Sequence, residues 1–280
     1  NAASAVQYIP EIAKVASQLT VFQRSANWIM PRDQQIFSEA ELDEFEANPD
    51  KFFESRNYIH QMREDGFART QQGSDSQKEG MRIALDFLHK NISDKTLQQK
   101  LTPDYEFGCK RILRTDDYYP ALNRDNVSLI TDAVAEIIEN GIITSTGDVI
   151  DADVIVFGTG FASQNFNGEL DVIGNGGKSL SEAWSNGAEA YLGLTVPTFN
   201  NMFVVYGPNT NLNHNSVVTM LEIQHLYIVK AIQHILKNNI SIDVKTALFT
   251  AYNTDIQAQM GSSAFSSGCS SWYKNADGKV

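Results

Sequence analysis

Arg24 ends a short run, Leu19-Thr20-Val21-Phe22-Gln23-Arg24, whose β-branched and aromatic residues predict a strand. The residues before it predict a helix from Asn1 to Ala13. Ala2, Ala3 and Ala5 are small, and Val6, Ile9 and Ala13 recur at helical spacing. A helix opened by small residues and followed by a strand ending in a charged group matches the second half of a βαβ nucleotide-binding unit. In such a unit the strand end faces the adenosine ribose. An acidic residue there selects NAD, whereas an arginine accommodates the 2′-phosphate of NADP. Lys110-Arg111 supplies two more adjacent cations in an otherwise acidic chain. A surface arginine and a surface cation pair are the bland readings of the same residues. Two glycine-bearing junctions also follow apolar runs: Gly158-Thr159-Gly160 after Asp153–Phe157, and Gly207-Pro208-Asn209 after Phe203–Tyr206. Glycine lets a backbone come close to a ligand.

Other chemistries find no support in the spacing. His60, His89, His214, His225 and His234 form no H-E-x-x-H or other metal-ligand spacing, so no metal site is expected. Ser4, Ser216 and Ser270 lack the G-x-S-x-G elbow of a nucleophilic serine. Cys109 and Cys269 lie far apart and make no C-x-x-C redox pair.

The elements that must position these residues come from the pattern of the whole chain. Its 280 residues allow roughly two domains, and 42% apolar content suffices for ordinary cores. With 22 Lys and Arg against 34 Asp and Glu, the formal charge is -12, which disfavours nucleic-acid and anionic-membrane partners. No apolar stretch approaches a membrane span and no signal peptide is visible, so a cytoplasmic protein is the expectation. A charged stretch over about 33–100, with Phe37, Leu42, Phe45, Phe52 and Leu88 at roughly helical spacing, predicts a helical insertion with a solvated face. Short strands follow at Val127–Ile130, Val134–Ile138 and Ile142–Thr144, the last two joined by an Asn140-Gly141 hairpin turn. Asp153–Phe157 predicts a buried parallel strand and Phe203–Tyr206 a second strand-to-turn junction. Met220–Leu236 predicts an amphipathic helix, and Gly261–Tyr273 a loop. From the residues alone this is part of an NADP-binding α/β protein whose reaction is not legible.

Several segments together resemble the class B flavoprotein monooxygenases, specifically the Baeyer–Villiger branch. They are Ala3-Ser4-Ala5-Val6-Gln7 with Pro10-Glu11-Ile12-Ala13, and Val21-Phe22-Gln23-Arg24-Ser25-Ala26-Asn27-Trp28. Gly108-Cys109-Lys110-Arg111 follows, then Asp117-Tyr118-Tyr119 and Asn123–Val127. Gly158-Thr159-Gly160-Phe161 is similar to the family's Ala-Thr-Gly motif. Tyr191-Leu192-Gly193, Gly207-Pro208-Asn209-Thr210 and Gly268–Tyr273 complete the set in the family's order. Gly158 stands where the family usually has Ala, and Thr198-Phe199-Asn200-Asn201 replaces a usual Gly-Phe-Pro-Asn.

The resemblance implies a two-dinucleotide α/β flavoprotein. Residues 1–153 would form a Rossmann-like NADP-binding domain, incomplete at its N-terminus, and 154–280 the C-terminal part of an FAD-binding domain. The chain would then be a fragment without the FAD-ADP site, inactive in isolation. The implied cofactors are FAD and NADP(H). Ser4, Gln7, Arg24 and Lys110 resemble NADP-binding positions, with Arg24 and Lys110 on the 2′-phosphate. Gly158, Thr159, Gly160, Gly207, Pro208 and Asn209 resemble positions along the cofactors, and Trp272 and Tyr273 fall in a mobile loop region of the family. Arg111 resembles the catalytic arginine that stabilises a C4a-peroxyflavin, which inserts one oxygen atom from O2 into a ketone or aldehyde. The implied partners are a small carbonyl substrate and O2, with no nucleic acid, no membrane and no stated oligomer. Two alternatives stay open: a flavin-containing monooxygenase acting on N or S centres, and a non-catalytic NADP-binding fragment.

Overall fold

The small residues Ala2, Ala3 and Ala5 bring the first helix close against a core that includes Tyr118, Tyr119 and Leu122. In the computed structural model α1 spans Ala2–Val15 and buries Val6, Ile9, Pro10 and Ala13. The structure describes residues 2–163, 165–166, 168–275 and 278–280. They gather into two compact units, Asn1–Phe37 with Gly73–Phe161 and Ser38–Gln72 with Ala162–Val280.

In the first unit β1 (Leu19–Phe22) and β2 (Ile29–Met30) follow α1. The charged stretch then folds as helices, and the division into units runs through it. α2 (Glu39–Ala47) and α3 (Pro49–Asp65) belong to the second unit and bury no residue. α4 (Asp75–Asn91) and α5 (Lys95–Leu101) belong to the first, where Ala84, Leu88 and Leu101 are buried. Each start is fixed locally. Ser38 makes a capping box with Glu41, Ser74 accepts from the Gln77 N–H, and Asp94 accepts from the Leu97 N–H.

β3 (Leu113–Arg114) pairs parallel with β2, and α6 (Tyr118–Leu122) leads to β4 (Val127–Ile130), which pairs parallel with β1 from Leu19↔Val127 to Phe22↔Ile130. The Asn126 amide donates to the Ala13 and Ala16 carbonyls at 3.0 and 2.8 Å, so it satisfies acceptors that the end of α1 leaves open. One core joins these elements through Val6, Ile9, Val21, Leu88, Ile92 and Leu129. An antiparallel meander follows: β5 (Val134–Ile138), β6 (Gly141–Thr144) and β7 (Val149–Asp151).

Two expectations fail. Asp153–Phe157 is neither buried nor a strand: Val154 is 77% and Phe157 70% exposed, and no described strand pairs with it. An apolar run becomes a buried parallel strand only when neighbours supply hydrogen bonds on its edges and cover on its faces. Phe203–Tyr206 is likewise irregular, because Tyr206 adopts φ 56, outside the β region.

The second unit carries α7 (Leu180–Ala183), α8 (Val217–Asn238) and α9 (Thr246–Met260). Its core is Leu180, Trp184, Ala190, Val196 and Phe199. α8 matches the expected helix and stops at Asn239 in the left-handed region. Gly261–Tyr273 is irregular apart from one short turn of 3-10 helix.

Gly80 sits where α4 meets the fully buried Phe107, and a Cβ there would lie 2.7 Å from the Phe107 ring. Gly80→Ala gains about 1 kcal/mol of helix propensity but overpacks this contact at about 1–3 kcal/mol. The urea midpoint should therefore fall or stay level. A clear rise would show that Phe107 yields freely.

Candidate cofactor site

The segment 105–115 is laid along 25–30 by bonds from both sides. Trp28 Nε1 donates to the Tyr105 carbonyl and the Tyr105 hydroxyl to the Ala26 carbonyl, both at 2.9 Å. The N–H groups of Leu113 and Thr115 donate to the carbonyls of Trp28 and Met30 at 2.9 and 3.2 Å. Phe107 packs edge-on against Trp28, and Gln77 Nε2 donates to the Phe107 carbonyl at 2.8 Å.

This clamp delivers Lys110 to the end of β1. Its Nζ donates to Ser25 Oγ at 3.1 Å and lies 4.2 Å from the centre of the Tyr105 ring. Burial first, and the neighbouring Arg24 guanidinium second, hold the Lys110 pKa below the ordinary lysine value, while Asp104 acts the other way. Arg24 and Arg111 are exposed, and neither makes a hydrogen bond or ion pair among the described residues. The carboxylates best placed by sequence to neutralise Arg111 do not do so: Asp116 accepts from the Arg32 N–H at 3.0 Å, and Asp117 sits at the start of α6. Lys110 thus lies within the field of one other cation, Arg24, in an acidic chain.

The other sequence-derived positions have different settings. Ser4 and Gln7 lie on the exposed side of α1, where the Gln7 amide donates to the Ala3 carbonyl at 2.6 Å. Gly158, Thr159 and Gly160 form an exposed stretch of the first unit. Gly160 has φ +100 with open space around it, a conformation that disfavours any side chain.

Gly207-Pro208-Asn209 belongs to the second unit and forms a built turn. Thr210 Oγ1 donates to the Gly207 carbonyl at 2.6 Å, and the Tyr206 N–H donates to the Oε1 of buried Gln224 at 3.1 Å. Asn209 adopts φ 65, and a Cβ on Gly207 would collide with the Gly193 carbonyl. The glycine is thus required by the protein's own backbone. Trp272 and Tyr273 stack at 4.0 Å; Tyr273 is packed on Phe265 at 7% exposure, whereas Trp272 is 42% exposed.

Sequence reasoning misses Ser25, Tyr105, Gly193 and Gln224 as supports. Among the described residues no group of His, Cys, Asp and Glu could hold a metal.

No family model matches the chain. It is 38% identical over 276 residues to a Baeyer-Villiger monooxygenase of Pseudomonas aeruginosa, covering 97% of this chain and 52% of the relative. It is 34% identical over 280 residues to a Baeyer-Villiger monooxygenase of Streptomyces coelicolor, covering 99% and 54%. Among solved structures, an oxidized steroid monooxygenase bound to NADP superposes with a TM-score of 0.83 at 26% identity, covering 97% of this chain and 59% of that one. The fold is that of the two-dinucleotide-binding flavoprotein monooxygenases. The chain belongs to the family of Baeyer–Villiger and FAD-binding monooxygenases, and it spans about half the length of the curated relatives it matches.

The crowding at Lys110 has a pH signature. A lysine whose pKa is lowered on folding leaves the unfolded chain holding more protons just below the ordinary lysine range. Its contribution to stability therefore rises with pH through that window. Arg24→Gln should raise the Lys110 pKa part of the way back, leaving the larger effect of burial. NMR titration of ¹³C-methylated lysines reads this directly, and an unmoved resonance would show that the two cations do not interact.

Proposed function

We propose that this chain contributes the NADPH-binding surface and a catalytic arginine to an FAD-dependent monooxygenase that carries out Baeyer–Villiger oxidation of a small ketone or aldehyde. One oxygen atom of O2 enters the substrate as an ester or lactone oxygen and the other leaves as water, NADPH supplying the two electrons. The observation that carries this reading is the Arg24–Lys110 pair, held together without a neutralising ion pair at the end of β1. The position suits the 2′-phosphate of NADP, and bound NADP in the solved steroid monooxygenase relative supports it.

Arg24 would reach the phosphate from the exposed side, while Lys110 approaches from the Ser25 side with its ammonium already oriented. Ser4 and Gln7 on α1 would face the same nucleotide. FAD, when bound and reduced, supplies the oxygen activation. Within its own unit, the open backbone at Gly158–Gly160 fits a close approach to such a cofactor. Arg111 would hold negative charge developing beside the flavin. A guanidinium suits this because it stays protonated at every working pH.

The freedom of Arg111 from Asp116 and Asp117 favours carbonyl oxygenation over N or S oxidation, which does not require that cation. Domains divided near 153, with the FAD-binding part C-terminal, and a cytoplasmic location belong to the same reading. No described helix is long and apolar enough to cross a membrane.

Substitution separates the two roles in the full-length enzyme. Arg24→Ala should raise KM for NADPH by roughly 10- to 150-fold, the worth of a charged hydrogen bond of ~1.5–3 kcal/mol, and leave KM for NADH nearly unchanged. Equal effects on both cofactors would remove the phosphate assignment.

Arg111→Ala should leave NADPH-driven flavin reduction measurable by stopped flow and lower ester formation by about 10²–10³-fold. Loss of both half-reactions in parallel would make Arg111 a structural residue, and wild-type ester yield would make it irrelevant.

A further inference from the structure

Carboxamide side chains are mostly exposed in proteins, yet the one residue that α8 buries is Gln224 and the one that α9 buries is Asn253. An amide is costly to bury unless its hydrogen bonds are made. In the second unit both side chains serve the same short segment, residues 206–209. Gln224 Oε1 accepts from the Tyr206 N–H at 3.1 Å. Asn253 Nδ2 donates to the Phe249 carbonyl of its own helix at 2.9 Å, which leaves Oδ1 to accept from Asn209 Nδ2 at 3.4 Å. Backbone partners therefore settle which end of each amide is oxygen.

The two amides hold a backbone that local preference would not choose. Tyr206 and Asn209 adopt φ 56 and 65, in the left-handed region, which a bulky tyrosine avoids. The turn is packed without slack: a Cβ on Gly193 would lie 2.2 Å from Thr210 Cγ2 and 3.4 Å from Gln224 Nε2. The N–H groups of Asn209, Thr210 and Asn211 donate to no acceptor among the described residues. Strain of this kind persists where the surroundings over-determine it, and it concentrates at ligand clamps. A turn that merely reversed the chain could carry glycine at 206 and would need neither amide.

We propose that Gln224 and Asn253 are positioning residues for FAD, fixing the two ends of this turn so that its unspent N–H groups stand ready for acceptor atoms of the cofactor. Each acts through a turn residue and does not touch the cofactor itself. The proposal rests on the reading that lays Gly207–Asn209 along FAD.

The test titrates full-length apoenzyme with FAD, following flavin fluorescence for affinity and amide hydrogen exchange for contact. In the wild-type enzyme FAD should slow exchange at residues 209–211. Gln224→Met, which keeps the shape but removes the acceptor, should raise the Kd for FAD at least about fivefold, the effect of leaving one buried donor unpaired. Asn253→Leu should act in the same direction, and Gln224→Glu, which keeps an acceptor, should stay near wild type. Tyr206→Gly added to Gln224→Met should restore the affinity, because glycine holds a left-handed φ without help. Unchanged exchange at 209–211 on FAD binding would overturn the reading that lays the turn along the cofactor, and the proposal with it. Protection in the wild type together with wild-type affinity in Gln224→Met would overturn the positioning role alone. A Gln224→Met defect that Tyr206→Gly does not relieve, or that Gln224→Glu shares, would make Gln224 a packing residue and overturn that role as well.

Discussion

Holding an ammonium beside a guanidinium is unfavourable, and the protein fixes Lys110 next to Arg24 through a sizeable apparatus. Trp28, Tyr105 and Phe107 lock one strand-like segment onto another, and burial first, with the Arg24 guanidinium second, drives down the pKa of the half-buried lysine. The cation–π contact with Tyr105 and the bond to Ser25 offset part of that cost. A multiply charged anion placed between the cations, as proposed for the 2′-phosphate, would make the arrangement favourable. The surrounding α/β structure is organised to keep the pair in register: β1 pairs with β4, β2 with β3, and α4 and α5 close the core behind them.

The second unit solves a different problem with similar means. Its turn at Gly207–Asn209 is held by Gln224 and Thr210, and its 198–201 segment by Asn201 and Asp243. In both places buried or clamped polar groups fix backbone conformations that local propensity would not choose. Left-handed Tyr206 and Asn209 are the cost of that precision, and the hydrogen bonds around them are what sustain it.

Elements set by local signals are legible in the amino-acid sequence. The small residues of α1, the β-branched run of β1 and the long apolar period of α8 each match an observed element. The expected hairpin forms with its turn one residue earlier, at Glu139-Asn140, because Gly141 pairs with Ile138. Features that depend on distant neighbours are not legible. Val154, Val156 and Phe157 have the composition of a buried strand, yet burial depends on partners that the run itself does not specify. α9 escapes notice because its apolar residues follow no strong helical period and it begins without a side-chain cap. At the candidate site, Arg24 and Lys110 are legible as charges, but Ser25 and Tyr105, which orient the lysine, carry no signal of their own.

Calorimetric titration of the full chain with 2′,5′-ADP and, separately, 5′-ADP tests the central claim most directly, because the two ligands differ in the position of one phosphate. If Arg24 and Lys110 form the 2′-phosphate site, 2′,5′-ADP binds at least about tenfold more tightly, and the advantage shrinks as salt rises. Equal affinity for the two nucleotides at low salt would contradict the account.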